Sequence, residues 1–253
     1  MIDRPARSPD HPARKGETVF SSIAIAPSIL SADFMNLQHD IDVLREGGAR
    51  YVHVDVMDGH FVPNLTMGVP LVKQLKKQAG MPLDVHLMIA NPLRQIPWFI
   101  EAGADIVTVH AEALSAEGEL DEAISMILDG GAKPAVAIKP KTPVSVIEHV
   151  LPRLAMVLVM SVEPGFSGQS YIAGSEDKVA QVVELARKAG ASPLIEVDGG
   201  IGVKTAPLVC ACGADVLVAG NAVCAASDPA AAIAQITAVA EQARLEALAQ
   251  RGE

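Results

Sequence analysis

Short segments rich in Val, Ile, Leu and Ala return eight times along the chain: Ile23 to Leu30, Arg50 to Val56, Pro82 to Met88, Asp105 to His110, Pro134 to Lys139, Met156 to Ser161, Pro193 to Val197, and Asp215 to Ala219. Between them lie stretches with helical spacing, such as Val179, Val182, Val183, Leu185 and Ala186. Glycine closes several of these stretches, as in Glu46-Gly47-Gly48-Ala49 and Cys212-Gly213-Ala214, where a helix C-terminus would feed the next strand. Strands that alternate with helices pair in parallel, either in an open doubly wound sheet or in a closed barrel. The even repeat and the lack of a dinucleotide glycine fingerprint favour a closed (β/α)8 TIM barrel, a fold that needs about 250 residues. The 253 residues therefore read as one barrel over 23–247, with a disordered tail at 1–22 and a short C-terminal tail at 248–253.

Composition narrows the partners. Half of the residues are hydrophobic but only 3% are aromatic, so aliphatic side chains must fill the core. A formal charge of −10 excludes the basic surface that nucleic acid or an anionic membrane requires. No apolar run reaches the roughly 18 residues of a membrane span. The N-terminal stretch carries Pro5, Pro9, Pro12 and several basic residues without an apolar core, so it does not read as a secretion signal. Cys210, Cys212 and Cys224 are an odd set for disulfides and lack paired metal-ligand spacing, which fits a reducing cytoplasm.

The unusual polar residues gather late in the apolar segments, where a barrel builds its active site. His53 and Asp55 are two apart and so share a strand face; His86 and Asp198 occupy matching positions in the third and seventh segments. Imidazole and carboxylate buried together cost several kcal/mol unless compensated, and a divalent metal is the simplest compensation. His53, Asp55, His86 and Asp198 make a two-His, two-carboxylate set suited to Zn²⁺, Fe²⁺, Mn²⁺ or Co²⁺. Glycine-bearing turns follow the last three strands at Pro164-Gly165-Phe166-Ser167-Gly168-Gln169, Asp198-Gly199-Gly200-Ile201 and Ala219-Gly220-Asn221. Such turns let backbone N–H groups approach a phosphate. Metal and phosphate together point to a ketose phosphate, with Asp55 and Asp198 placed to remove and replace a proton next to its carbonyl. Glu196 and Lys139 have inward parity and serve either as outer-shell partners or as a buried ion pair. His110 is a candidate outer-shell group, His60 a loop-shaping one, and His11, His39 and His149 read as solvated.

These motifs resemble the ribulose-phosphate 3-epimerase family from Ile25 to about Ile236. The resemblance rests on Ala26-Pro27-Ser28-Ile29-Leu30-Ser31-Ala32-Asp33, Val52 to Asn64, Asp84-Val85-His86-Leu87-Met88, Ser161 to Gln169, and Glu196-Val197-Asp198-Gly199-Gly200. It implies epimerisation of D-ribulose 5-phosphate and D-xylulose 5-phosphate at C3, one divalent metal per subunit, and a homo-oligomer, either dimer or hexamer. It also implies substrate contacts from Ser28 and His86, and phosphate contacts from Gly165, Phe166, Ser167, Gly168, Gly199, Gly200, Gly220 and Asn221. Met57, Met88 and Met160 would cap the reacting carbons. Ser167 and Asn221 depart from the commoner Gly and Ser of the family while keeping hydrogen-bonding capacity. Pro97 is expected in the first turn of the third helix. A D-allulose 6-phosphate epimerase would use the same groups in a longer pocket. Related decarboxylases and aldolases carry D-x-K-x-x-D, whereas this chain has Asp55-Val56-Met57-Asp58 without the lysine. A noncatalytic sugar-phosphate binder would not need both Asp55 and Asp198.

Overall fold

Alternate side chains of a strand face opposite sides, so a strand sealed between two layers must be apolar on one face and selective on the other. The computed structural model describes residues 22–252, and the N-terminal tail expected at 1–22 lies outside them apart from Ser22. Its strands are β1 Ala24–Ala26, β2 Val52–Met57, β3 Leu83–Met88, β4 Ile106–His110, β5 Lys133–Ile138, β6 Met156–Met160, β7 Leu194–Asp198 and β8 Val216–Val218. All pair in parallel in the order β1-β8-β7-β6-β5-β4-β3-β2. The ring closes between β1 and β2, where Arg50 N–H donates to Ile25 O at 2.9 Å and His53 N–H to Pro27 O at 3.1 Å.

The helices are α1 Leu37–Glu46, α2 Val69–Gln78, α3 Pro92–Ala102, α4 Glu119–Asp129, α5 Ser175–Lys188, α6 Ala206–Ala211, α7 Asn221–Cys224 and α8 Pro229–Arg251. Three details differ from the sequence reading. The crossover from β5 to β6 is a 3-10 segment, Val144–Arg153, entered after Pro143 and containing Pro152. Proline cannot donate to an α-helical ladder, and tighter turns replace that ladder here. Pro97 is not in the first turn of α3, because Pro92 starts that helix and Pro97 falls five residues inside it, on the exposed side. Finally, α8 continues past the expected boundary at 247 to Arg251, where Gly252 caps it in the left-handed conformation.

Between strands and helices lies an aliphatic layer in which Val54, Val85, Leu87, Val107, Val136, Val157, Val197 and Leu217 meet Val72, Ile96, Ile124 and Val182. Each such side chain contributes roughly 1.5–3 kcal/mol by leaving water. Inside the ring the bottom is sealed by Ile106, Ala135, Met156 and Val216. That plug raises the polar residues of the upper interior to one open end. Register then selects neighbours: His53 stands beside Asp84, Asp55 beside His86, Met57 beside Met88, and Met160 beside Asp198.

Candidate metal and substrate site

Strand register brings the four expected ligands together. His53, Asp55, His86 and Asp198 each present one ligand atom, all within 4.8 Å of one another. Asp55 Oδ1 lies 3.4 Å from His53 Nε2 and 3.2 Å from His86 Nδ1, and Asp198 Oδ2 lies 4.0 Å from His86 Nδ1. Both imidazoles are fully buried, whereas the Asp198 side chain keeps 18% exposure toward the cavity above. Ser28 donates to Asp55 Oδ2 at 2.5 Å. Behind His53, its Nδ1 meets Asp84 Oδ2 at 2.5 Å, which leaves Nε2 facing the cluster with no hydrogen-bond partner among the described residues. An orphaned buried nitrogen aimed among carboxylates fits a divalent cation well.

The titrations follow from this crowding. Burial and the negative charge of Asp55 raise the Asp198 carboxyl to about 6. Burial would raise Asp55 too, but His53 and His86 outweigh it and hold that carboxyl far below the usual range. Burial disfavours protonated His53, yet Asp84 and Asp55 lift it well above its ordinary value. Burial and Asp84 push the Glu196 carboxyl, 3.9 Å from His53 Nδ1, well above its ordinary value. The alternative of a buried Glu196–Lys139 ion pair is overturned. Glu196 has no hydrogen-bond partner among the described residues, and Lys139 lies just past β5 with its Nζ 4.0 Å above the Phe61 ring.

Above the cluster opens a cavity of about 470 Å³. Its lining includes Ser28, Asp55 and Asp198, the methionines Met57, Met88 and Met160, and Gly165, Phe166, Ser167, Gly168, Gly199, Gly200, Gly220 and Asn221. His86 is the one expected substrate contact not on that wall; it is wholly buried beneath it. The three glycine turns do meet. Ser167 Oγ lies 2.6 Å from Ser31 Oγ and donates to Asn221 Oδ1 at 3.3 Å, so the two departures from the family pattern bond to one another. Gly200 has φ +62°, and a Cβ there would stand 2.3 Å from Tyr171 N, so only glycine lets these turns close.

His110 reaches the cluster, with its Nε2 2.9 Å from His86 Nε2. His60 shapes the turn after β2, its ring Nδ1 2.9 Å from Asp58 O. Sequence reasoning missed Asp84, Glu112 and the cavity-lining Lys204 and Thr205. Asp84 shares the inward parity of His86, a usable signal; Glu112 follows β4 in a 3-10 turn, Ala111–Ala113, and carries no periodic signal.

Residues 24–224 match the model of the ribulose-phosphate 3 epimerase family. A Bacillus subtilis ribulose-phosphate 3-epimerase is 50% identical over 215 residues, covering 85% of this chain and 98% of the relative. The chloroplastic ribulose-5-phosphate-3-epimerase of Arabidopsis thaliana is 46% identical, over 86% of this chain and 77% of the relative. Among solved structures, 3-hexulose-6-phosphate synthase from Salmonella typhimurium superposes with a TM-score of 0.66 at 19% identity, over 87% of this chain and all of that one. At that identity it speaks to the barrel alone.

Proposed function

The chain belongs to the ribulose-phosphate 3-epimerase family, and on that premise we propose that it interconverts D-ribulose 5-phosphate and D-xylulose 5-phosphate by two-base proton transfer at C3. The observation that carries the mechanism is the unequal pair at the cavity floor: Asp55 held ionised, and Asp198 with its carboxyl raised to about 6. Carboxyls driven apart in this way are suited to act as base and acid.

Asp55 takes the C3 proton from one face, and Asp198, three strands away around the ring, delivers a proton to the other. The roles reverse in the back reaction. Ser28, bonded to Asp55 Oδ2, fixes the direction in which that base points. His53, Asp55, His86 and Asp198 would hold one divalent cation, Zn²⁺, Fe²⁺, Mn²⁺ or Co²⁺, which supplies Lewis-acid stabilisation of charge developing on the substrate oxygens. Met57, Met88 and Met160, all nearly inaccessible at the floor, exclude water from the enediolate with soft apolar surface. At the far end the turns at Gly165–Gly168, Gly199–Gly200 and Gly220–Asn221 take the phosphate through backbone N–H groups.

The free thiols of Cys210, Cys212 and Cys224 support a cytoplasmic setting, and no helix of the described residues is long and apolar enough to cross a membrane. The family premise extends to a homo-oligomer, dimer or hexamer. Turnover in D₂O tests the reading, comparing ribulose 5-phosphate with allulose 6-phosphate before and after chelation and metal return. We expect the epimer to form with deuterium at C3, lost on chelation and fastest for the five-carbon sugar. Faster allulose 6-phosphate turnover would move the substrate to six carbons, and no exchange with either would leave a sugar-phosphate binding protein.

A further inference from the structure

His110 and Glu112 touch neither cavity nor substrate in the reaction described above, yet they form one line with His86. His86 Nε2 is 2.9 Å from His110 Nε2, and the two rings stack with centroids 5.0 Å apart. His110 Nδ1 is 3.1 Å from Glu112 Oε2. The other oxygen, Glu112 Oε1, is already engaged: Lys139 N–H donates to it at 2.7 Å, and the Thr142 hydroxyl donates as well. The turn bearing those donors is anchored by Lys178, whose Nζ donates to Lys139 O, Pro140 O and Thr142 O, each at 2.7 Å.

Facing imidazole nitrogens at hydrogen-bond distance share one proton, so one donates and the other accepts. The two ends of the line decide which. Glu112 is a carboxylate: burial would raise it, but bonds from His110, Thr142 and Lys139 lower it to about 2. It can only accept, so His110 Nδ1 carries hydrogen. His86 turns its Nδ1 on Asp55 Oδ1 and Asp198 Oδ2, where the cation would sit, so the one proton shared between the facing nitrogens belongs to His86 Nε2 and His110 Nε2 accepts it.

We propose that Glu112 and His110 are positioning residues that fix His86 as its Nε2–H tautomer and so present its Nδ1 lone pair to the cation. Asp84 does the same for His53 directly and from the opposite nitrogen, through Nδ1, leaving Nε2 for the ion. Two imidazoles thus offer different nitrogens to one point because each is backed by a carboxylate, one at first hand and one through a second imidazole. The inference rests on the cation site of the proposed function.

Histidine ¹⁵N labelling of the Zn²⁺-loaded protein, read by long-range ¹H–¹⁵N correlations within the rings, tests it without any substitution. The expected pattern is a protonated Nδ1 and bare Nε2 on His110, with a protonated Nε2 on His86. Hydrogen on His110 Nε2 would reverse the line and overturn the proposal. In Glu112→Leu no side-chain atom remains to accept from His110 Nδ1–H, so the line loses its anchor. Chelator competition should then show Zn²⁺ bound about 10- to 100-fold more weakly; unchanged affinity in a folded variant would also overturn the proposal. Should neither sugar exchange deuterium while the ring pattern stands, the epimerase reading fails and the positioning role survives.

Discussion

Asp55 and Asp198 start with the same intrinsic acidity and are separated by their surroundings. Asp55 faces two imidazoles and the Ser28 hydroxyl, so its charge is compensated; Asp198 meets the charge of Asp55 from a desolvated position. Asp198→Asn keeps the volume and removes the proton, so epimer formation on cation-saturated protein should fall by about 10²–10⁴-fold. Asp55 remains, and one of the two sugars should still take up C3 deuterium without inverting. Uptake by both sugars at equal rates, measured by NMR, would contradict the division of labour. His53, Asp55, His86 and Asp198 were legible because a strand has a period of two and polar side chains stand out on an aliphatic face. The support behind them was less so: Asp84 becomes a partner of His53 only through the β2–β3 register, and Glu112 through a turn that aperiodic sequence does not mark.

Elements repeat the lesson with backbone chemistry in place of side chains. All eight strands fall within the apolar segments or one residue beyond them, since a strand buried on both faces leaves a continuous aliphatic run. Helices were less legible wherever proline intervenes, as in the 3-10 crossover Val144–Arg153 and in α3. In α3 Pro97 leaves the Leu93 carbonyl without its i+4 donor, and the ring itself is exposed. Pro97→Ala restores that donor in a helix where proline is disfavoured by up to about 3 kcal/mol. The freer unfolded chain offsets roughly 0.4–1 kcal/mol. Net stabilisation of about 1 kcal/mol or more should raise the urea midpoint with an unchanged slope. A lower midpoint would mean that the proline ring packs more favourably than its exposure implies.

Across the whole molecule, the barrel interior concentrates Asp55, Asp84, Asp198 and Glu196 above an aliphatic plug, and the cation or protons must balance them. Without a cation the folded state therefore holds protons that the unfolded chain releases. Asp198 at about 6, and Glu196 and His53 raised well above their ordinary values, all bind protons more tightly when folded. Stability contributed by groups raised in this way is present below the unfolded pKa and is lost as pH rises through the folded one. His110, lowered to about 4, acts in the opposite sense between about 4 and 6.5, so the decline emerges cleanly only above pH 6.5. Chelated protein should accordingly melt at lower temperature at pH 8 than at pH 6.5. Zn²⁺ at a hundred times its dissociation constant should add about 2.7 kcal/mol. At one fixed Zn²⁺ concentration the gain should be larger at pH 8, because binding must first displace protons from His53 and Asp198. Calorimetric melting at the two pH values, with and without Zn²⁺, checks both signs. A gain that shrinks with rising pH would show that the cluster does not release protons to the cation, and the balance of charge inside the barrel would need another source.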